Sequence, residues 1–294
     1  MMIAIFGLTV DPAFSPDINR FFSLLKQRGV KSYIYKPFYE LIQLTGHLDL
    51  DMVAGVFTTG SELPGSVQYL FSIGGDGTFL KSILTLRHRS IPVIGINSGR
   101  LGFLSAISRE DMEWAIDDVL NNEYLIEERS LLQVDCSSEL FGDFNYVMNE
   151  ITVTKMDSSS MINIHTYLNG KYVTTYWADG LIISTPTGST AYSLSVGGPI
   201  LTPDSSDIVI TPIAPHNLTM RPIVIPDHNR LTLRVEGRGQ QFLASLDSRS
   251  KAVNFPGEIH IRKAAFRVKT IKLREHDFFN TLRNKLMWGT DRRN

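Results

Sequence analysis

The sequence has a single cysteine, Cys136, among its 294 residues. That excludes an internal disulfide framework and suits a reducing compartment. No apolar run approaches the ~18 residues that a membrane-spanning helix needs, so no membrane partner is expected. The opening Met1-Met2-Ile3-Ala4-Ile5-Phe6-Gly7 lacks a basic leading segment and meets Asp11 too soon for a secretory signal, which points to a cytoplasmic protein. Charge of one sign is not in excess: 29 Lys+Arg stand against 30 Asp+Glu, a net charge of -1. That balance argues against a strongly basic face for nucleic acid. The seven histidines form no metal-spaced cluster, which argues against zinc. Neither the Walker pattern Gly-x4-Gly-Lys-Ser/Thr nor Gly-x-Gly-x-x-Gly occurs. Internal repeats and low-complexity stretches are absent. What is present is an ordinary globular mixture, 43% hydrophobic and 20% charged. At roughly 150 residues per domain, the length suggests two domains.

The first hundred residues alternate strand and helix signals. Ile3 to Gly7, Val53 to Phe57, Tyr69 to Ile73 and Ile91 to Ile96 read as buried strands. Between the first two, Ser15 offers an N-cap, Pro16 sits in the first turn and Gly29 closes the segment. Ile18, Phe21, Phe22 and Leu25 recur at three- and four-residue spacing, so that helix has one apolar face. Thr78 to His88 reads as a second helix, and Ser108 to Leu120 as a linking helix capped by Ser108. Alternation of this kind implies a mostly parallel sheet covered on both faces. From about Leu131 the texture changes to short alternating segments. Leu168-Asn169-Gly170-Lys171 is a strong hairpin signal. Ile208 to Ile213, Leu231 to Val235 and Glu258 to Ile261 are further strands, which implies an antiparallel β domain. Helical spacing returns from His276 to Leu286, where Phe278, Phe279, Leu282 and Leu286 suggest a packing face. The fold class is thus α/β plus β. A domain of residues 1–105, rejoined by 270–294, would flank a β domain of residues 106–269.

Chemistry concentrates in three places. An apolar strand runs into Gly74-Gly75-Asp76-Gly77, and a helix follows. Glycines there allow close approach of a ligand to the main chain, and the new helix's N–H groups favour a phosphate. Asp76, at the strand's carboxyl end, is placed to act as a base or to hold a metal. An ordinary Asp-Gly turn is the bland alternative, and three glycines around one acid outweigh it. The second place is Asp179 to Ser195, where strand Leu181 to Ser184 empties into a hydroxyl-rich loop with one aromatic face, Tyr192. Such a loop suits a nucleoside, although composition by itself leaves a solvated connection slightly ahead. Third, Asn149-Glu150 has the donor and acceptor groups to bracket a ribose diol.

These segments, taken together, resemble the NAD kinases of the bacterial ATP-NAD type. The resemblance rests on Gly74 to Leu80, Gly95 to Leu104, Asn149-Glu150, Asp179 to Ile200 and Phe279 to Gly289, in that order along the chain. Gly-Gly-Asp-Gly also occurs in diacylglycerol-type lipid kinases and phosphofructokinases, whereas the block from Asp179 to Ile200 is more specific. The resemblance implies a Rossmann-like N-terminal domain, a β-sandwich domain that binds NAD, and a C-terminal segment returning to the first. It implies transfer of the ATP γ-phosphoryl group to the 2′-hydroxyl of the adenosine ribose, with a divalent metal, expected to be Mg2+. Asp76 takes the catalytic role. Asp76, Gly77, Asn149, Glu150 and Asp179 become dinucleotide contacts, and Thr187, Thr190, Ala191, Tyr192, Ser193, Leu194 and Ser195 the nucleoside loop. Ala214 matches a contact supplied across a subunit boundary, in keeping with a homodimer or homotetramer. Trp177 stands where many members carry a basic or polar residue, and Leu246-Asp247-Ser248-Arg249 replaces the usual Asp-Gly-Gln. A lipid kinase and a non-catalytic NAD(H) sensor are the competing functions; a pure sensor has no need of Asp76.

Overall fold

A computed structural model describes residues 1–9, 11–44, 50–99, 102–105, 107–136, 141–156, 160–274 and 277–289. The chain forms two compact units, one of Met1–Glu127 with Val268–Asn294, the other of Glu128–Arg267.

In the first unit, β1 (Met2–Gly7), α1 (Ser15–Gln27), β2 (Lys31–Tyr35), α2 (Lys36–Leu44) and β3 (Val53–Phe57) alternate. They are followed by β4 (Leu70–Ile73), α3 (Asp76–Leu86), β5 (Val93–Ile96) and α4 (Met112–Leu120). The strands pair in parallel in the order β5-β4-β1-β2-β3. β4 and β5 are buried along their whole length, as the apolar runs Leu70–Ile73 and Val93–Ile96 require of central parallel strands. The chain starts in the middle, winds outward through β2 and β3, then crosses to the other side of β1 with β4. Strand order therefore reverses between β1 and β4, and the carboxyl ends of those strands are where open α/β sheets bind ligands. Ile18, Phe21, Phe22 and Leu25 of α1 are buried in the core, as their spacing demands.

Three helix starts differ from the sequence expectation. Ser15 is not an N-cap: Asp11 accepts from the Ala13 N–H at 2.9 Å and starts a 3-10 turn at Pro12, so the chain is already winding when Ser15 is reached. α3 begins at Asp76 rather than Thr78, because Gly75 takes the extended cap conformation and its carbonyl accepts from Thr78 and Phe79. Ser108 does not cap α4 directly. Its hydroxyl accepts from the Asp111 N–H and donates to the Asp111 carboxylate, and the helix follows only at Met112.

β6 (Tyr124–Cys136) passes from the first unit into the second, which goes on with β7 (Tyr146–Val147), β8 (Glu150–Lys155), β9 (Ile162–Leu168), β10 (Lys171–Ala178) and β11 (Gly180–Ser184). It continues with β12 (Asp207–Ile213), β13 (Ile223–Pro226), β14 (Leu231–Glu236), β15 (Gln241–Leu246), β16 (Arg249–Asn254) and β17 (Gly257–Leu273). One sheet is antiparallel in the order β13-β12-β11-β8-β15-β16. The other runs β10-β9-β14-β17, with β6 on β17 and β7 on β6. Ile151, Val153, Leu181 and Ile183 of the first sheet share one core with Ile162, Ile164, Leu233 and Ile259 of the second, which makes a sandwich. Asn169 and Gly170 both have positive φ, 51° and 79°, the backbone that a two-residue hairpin turn demands. Glu258 to Ile261 is the start of a 17-residue strand, not a short one. At its far end Thr270, in the first unit, pairs in parallel with Val93.

Candidate active site

At the carboxyl end of β4, Gly74 has a φ of 148°, and a side chain there would overlap the Thr78 hydroxyl. Gly75 and Gly77 meet no protein atom within 4 Å of where a Cβ would stand. Packing therefore does not require those two glycines, and the start of α3 is left open to a ligand. Asp76 does not hang free in that space. Its Oδ1 accepts from the N–H groups of Leu104 and Ser105, both at 3.0 Å, and its Oδ2 from Phe103 at 2.9 Å. Phe103, Leu104 and Ser105 thus form a backbone clamp for this carboxylate. Gly102 brings the clamp in: a Cβ on it would overlap Asp76 Oδ1 and lie 2.6 Å from Cγ. Asn97 secures the clamp by donating to the Ser105 carbonyl at 3.2 Å and accepting from Gly99. Lys285, on the terminal helix Phe278–Leu286, places Nζ 3.5 Å from Asp76 Oδ2 and 4.6 Å from the Phe103 ring centre.

In the second unit, Asn149 and Glu150 sit where β7 passes into β8. The Asp247 carboxylate accepts from three successive N–H groups there: Met148 at 3.0 Å, Asn149 at 2.8 Å and Glu150 at 3.2 Å. Thr185 donates through its N–H to the Asn149 carbonyl at 2.9 Å and through its hydroxyl to the Met148 carbonyl at 2.6 Å. Glu150 is 8% exposed, and its Oε2 has no hydrogen-bond partner within the protein. Burial, with the Asp247 charge adding to it, pushes the Glu150 carboxyl from 4.5 up to about 8. A carboxyl whose pKa is higher folded than unfolded binds its proton more tightly in the folded chain. Its contribution therefore favours the folded state at low pH and is lost as pH rises from 4.5 through about 8. Glu150→Gln removes that dependence. Its melting temperature relative to wild type should climb between pH 5 and pH 8 by roughly 6–12 °C, the span for about 3 kcal/mol at ~1.4 kcal/mol per pKa unit. A difference that stays flat with pH would show that Glu150 is ionised throughout.

The hydroxyl-rich segment after β11 is not a solvated connection. Thr185, Thr187, Ser189 and Ser193 are buried. Ser189 accepts from the Leu201 N–H and donates to the Pro186 carbonyl, and Ser193 bonds the Thr211 hydroxyl at 2.9 Å. Arg129 donates to the Thr187 hydroxyl at 3.5 Å. Protein groups, backbone and side chain, take the place of water as partners of these hydroxyls, which composition could not show. Tyr192 and Ser195 remain exposed, and Thr190, Ala191 and Leu194 are partly so. A Cβ on Gly188 would overlap the Asn149 carbonyl oxygen and lie 2.7 Å from its Cα, so this loop and the Asn149 turn are in close contact.

Comparison with known proteins bears on what such an arrangement is for. A family model described as the ATP-NAD kinase N-terminal domain matches residues 58–124, and one described as the C-terminal domain matches 148–273. An NAD kinase of Flavobacterium psychrophilum is 47% identical over 296 residues, covering 100% of both chains. The chain belongs to the NAD kinase family. An NAD kinase of Bacteroides fragilis is 45% identical, again over 100% of both chains. Among solved structures, an Archaeoglobus fulgidus NAD kinase in complex with ATP is similar with a TM-score of 0.75 and 27% identity, covering 98% of this chain and 99% of that one. A yeast NADH kinase complexed with NADH shares the fold, with a TM-score of 0.86 at 22% identity over 99% of this chain and 89% of that one.

The β-unit residues singled out by sequence fall into two groups. Asn149, Glu150 and the loop from Thr187 to Ser195 gather at the carboxyl end of β11, where Ser184 pairs with Glu150. Asp179 and Ala214 lie at its other end, where Gly180 pairs with Thr154 and Ile213. The two ends are about 13 Å apart at the usual rise per residue. Asp179 Oδ1 stands 2.7 Å from Lys155 Nζ. Ala214 has a φ of 43°, and nearby Trp177, 49% exposed, stacks on His216 with ring centres 4.1 Å apart. Asp76 and Gly77 belong to the first unit. Lys155 and Lys285 carry no signal in the sequence, and Asp247 stands out there only as part of the departing stretch Leu246 to Arg249; each reaches a partner outside its own segment. Arg249 turns its guanidinium inward, donating to the carbonyls of Phe144 at 2.6 Å and Tyr146 at 2.5 Å. On the terminal helix only Leu282 of the expected packing face is buried; Phe279 and Leu286 are 45% and 38% exposed. Arg100, Leu101, His276 and the Arg292-Arg293 tail lie outside the described residues.

Proposed function

We infer that the chain is an NAD kinase, transferring the ATP γ-phosphoryl group to the 2′-hydroxyl of the adenosine ribose of NAD to give NADP and ADP. The full-length likeness to relatives of that name carries the reading. The lipid-kinase alternative is not favoured, because both NAD kinase family models match. In the proposed reaction the ribose oxygen attacks the γ-phosphorus, the bond to the ADP oxygen breaks, and Asp76 receives the hydroxyl proton. A carboxylate has about four acceptor positions, and three backbone N–H groups occupy Asp76. The remaining one is on Oδ2, beside Lys285. That oxygen is the proton acceptor, and the lysine charge lies where phosphate charge would need balancing. Gly77, with open space above it, lets phosphate approach the start of α3. Asn149, Glu150, Asp179, Thr187, Thr190, Ala191, Tyr192, Ser193, Leu194, Ser195 and Ala214 make up the NAD site in this reading.

Among the described residues no three His, Cys, Asp or Glu side chains gather into a metal cage. In this reading Mg2+ would come with the ATP phosphates, as magnesium commonly does in phosphoryl transfer. The chain is proposed to act in the cytoplasm as a homodimer or homotetramer. Support for assembly comes from β10, a sheet edge on which Tyr172, Val173 and Trp177 are 58%, 41% and 49% exposed. No described helix is long and apolar enough to cross a membrane. Incubating the protein with ATP, Mg2+ and NAD should yield NADP. NAD binding without turnover would make it a sensor, and phosphorylation of diacylglycerol in place of NAD a lipid kinase.

A further inference from the structure

The turn at Asn149–Glu150 is held from outside itself by a three-residue stretch distant in sequence. Asp247 lies between β15 and β16 with a φ of 49°, a backbone that a non-glycine residue adopts only under constraint. From there its carboxylate receives the three successive N–H groups of Met148, Asn149 and Glu150, while its own N–H donates to the Glu150 carbonyl at 3.0 Å. Two residues on, Arg249 grips the same segment upstream, through the carbonyls of Phe144 and Tyr146, with its guanidinium 5.9 Å from the centre of the Phe144 ring. Residues 144 to 150 are thus fastened at both ends, carbonyls by a cation and N–H groups by an anion.

A structural tie alone would not need charge. Desolvating a carboxylate and a guanidinium costs several kcal/mol before their bonds return it, and neutral amides make similar contacts more cheaply. A carboxylate does one thing an amide side chain cannot: it accepts on both oxygens, so it aligns three consecutive N–H groups in one orientation. That alignment fixes where the Asn149 and Glu150 side chains leave the backbone.

We propose that Asp247, braced by Arg249, is a positioning residue for NAD binding, acting through the Asn149–Glu150 turn. The inference rests on the NAD-site reading of that turn. It touches the nucleotide only through other residues, so its loss weakens NAD binding without removing the reacting groups.

The test compares Asp247→Asn, Asp247→Ala, Arg249→Lys and Glu150→Gln with wild type, each as full-length protein, by calorimetric NAD binding and by steady-state kinetics. Asn keeps one acceptor oxygen for two of the N–H groups, whereas Ala keeps none. The expected result is a graded rise in KM for NAD, about tenfold for Asn and more for Ala, with kcat within about threefold and KM for ATP unchanged. Arg249→Lys, which reaches only one of the two carbonyls, should show the same pattern more weakly. It carries the test if the Asp247 variants do not fold. Wild-type NAD affinity in folded Asp247 or Arg249 variants, with weakened binding in Glu150→Gln, would overturn the positioning role alone. Unchanged affinity in Glu150→Gln as well would overturn the assignment of the turn to NAD, and the proposal with it. A loss of kcat equal to the loss of kcat/KM would also overturn it, since that pattern belongs to a group acting in the transition state.

Discussion

Asp76→Asn should bind NAD nearly as well as the parent and turn over roughly 10²–10⁴-fold more slowly, the usual contribution of a general base. A ribose hydroxyl is a poor nucleophile at neutral pH, and in the proposed reaction the carboxylate takes its proton. The amide has the same shape, so α3 should keep its start. Its Oδ1 can go on accepting from Leu104 and Ser105, and its NH2 group then faces the Phe103 N–H, donor against donor. That mismatch makes a modest stability loss expected as well, about 1–3 kcal/mol for a polar group left without its partner. The rest of phosphoryl transfer depends on positioning and charge neutralisation, which the variant retains. Raised Mg2+ should not restore the rate if Asp76 acts as a base. Recovery at high Mg2+ would make it a metal ligand, and near-normal turnover would remove it from the mechanism.

Gly102→Ala should reproduce much of that loss without touching the carboxylate. The new methyl would overlap Asp76 Oδ1, a short side chain held by three backbone bonds and therefore unable to step aside cheaply. Either Asp76 leaves its rotamer or the segment of Phe103, Leu104 and Ser105 backs away with its N–H groups. Both move the proton acceptor, and a misplacement of about 1 Å costs on the order of 10²-fold in rate. Stability should fall by about 1–3 kcal/mol, as for other overpacked sites. Gly65→Ala is the control, since its Cβ meets nothing within 4 Å. Kinetics of Gly102→Ala indistinguishable from those of Gly65→Ala would mean that the clamp does not position Asp76.

Much of the fold was legible because local periodicity and burial agree. The apolar runs at Leu70–Ile73 and Val93–Ile96 became buried parallel strands, and Asn169-Gly170 became a hairpin turn because only a few residue types tolerate positive φ twice in succession. Helix starts were less legible. Several polar residues compete for the first N–H groups, and Asp11 reached them before Ser15 could. In the candidate site the glycine-flanked acid stood out, but its holders did not. Backbone N–H groups at 103–105 carry no side-chain signature, and Lys285 approaches from 209 positions along the chain. The hydroxyl loop misled for a related reason: serine and threonine look the same in sequence whether they bond water or, as Ser193 does, another hydroxyl.

The clamp on Asp76 also shapes how this protein can drift. Its three donors are main-chain groups, so codon changes at the half-buried positions 103 and 104 leave them in place whatever side chain they encode, proline excepted. The vulnerable letters are elsewhere, in the glycines that let the two segments approach: Gly102 against the carboxylate and Gly95, whose Cβ would stand 2.7 Å from the Ser105 Cα. A saturation library across 95–105 should therefore tolerate many replacements at 103 and 104 and almost none at Gly95, Gly102 or the fully buried Ser105. The genetic target for disabling the proposed base is thus displaced from the residues that touch it to those that make room for it.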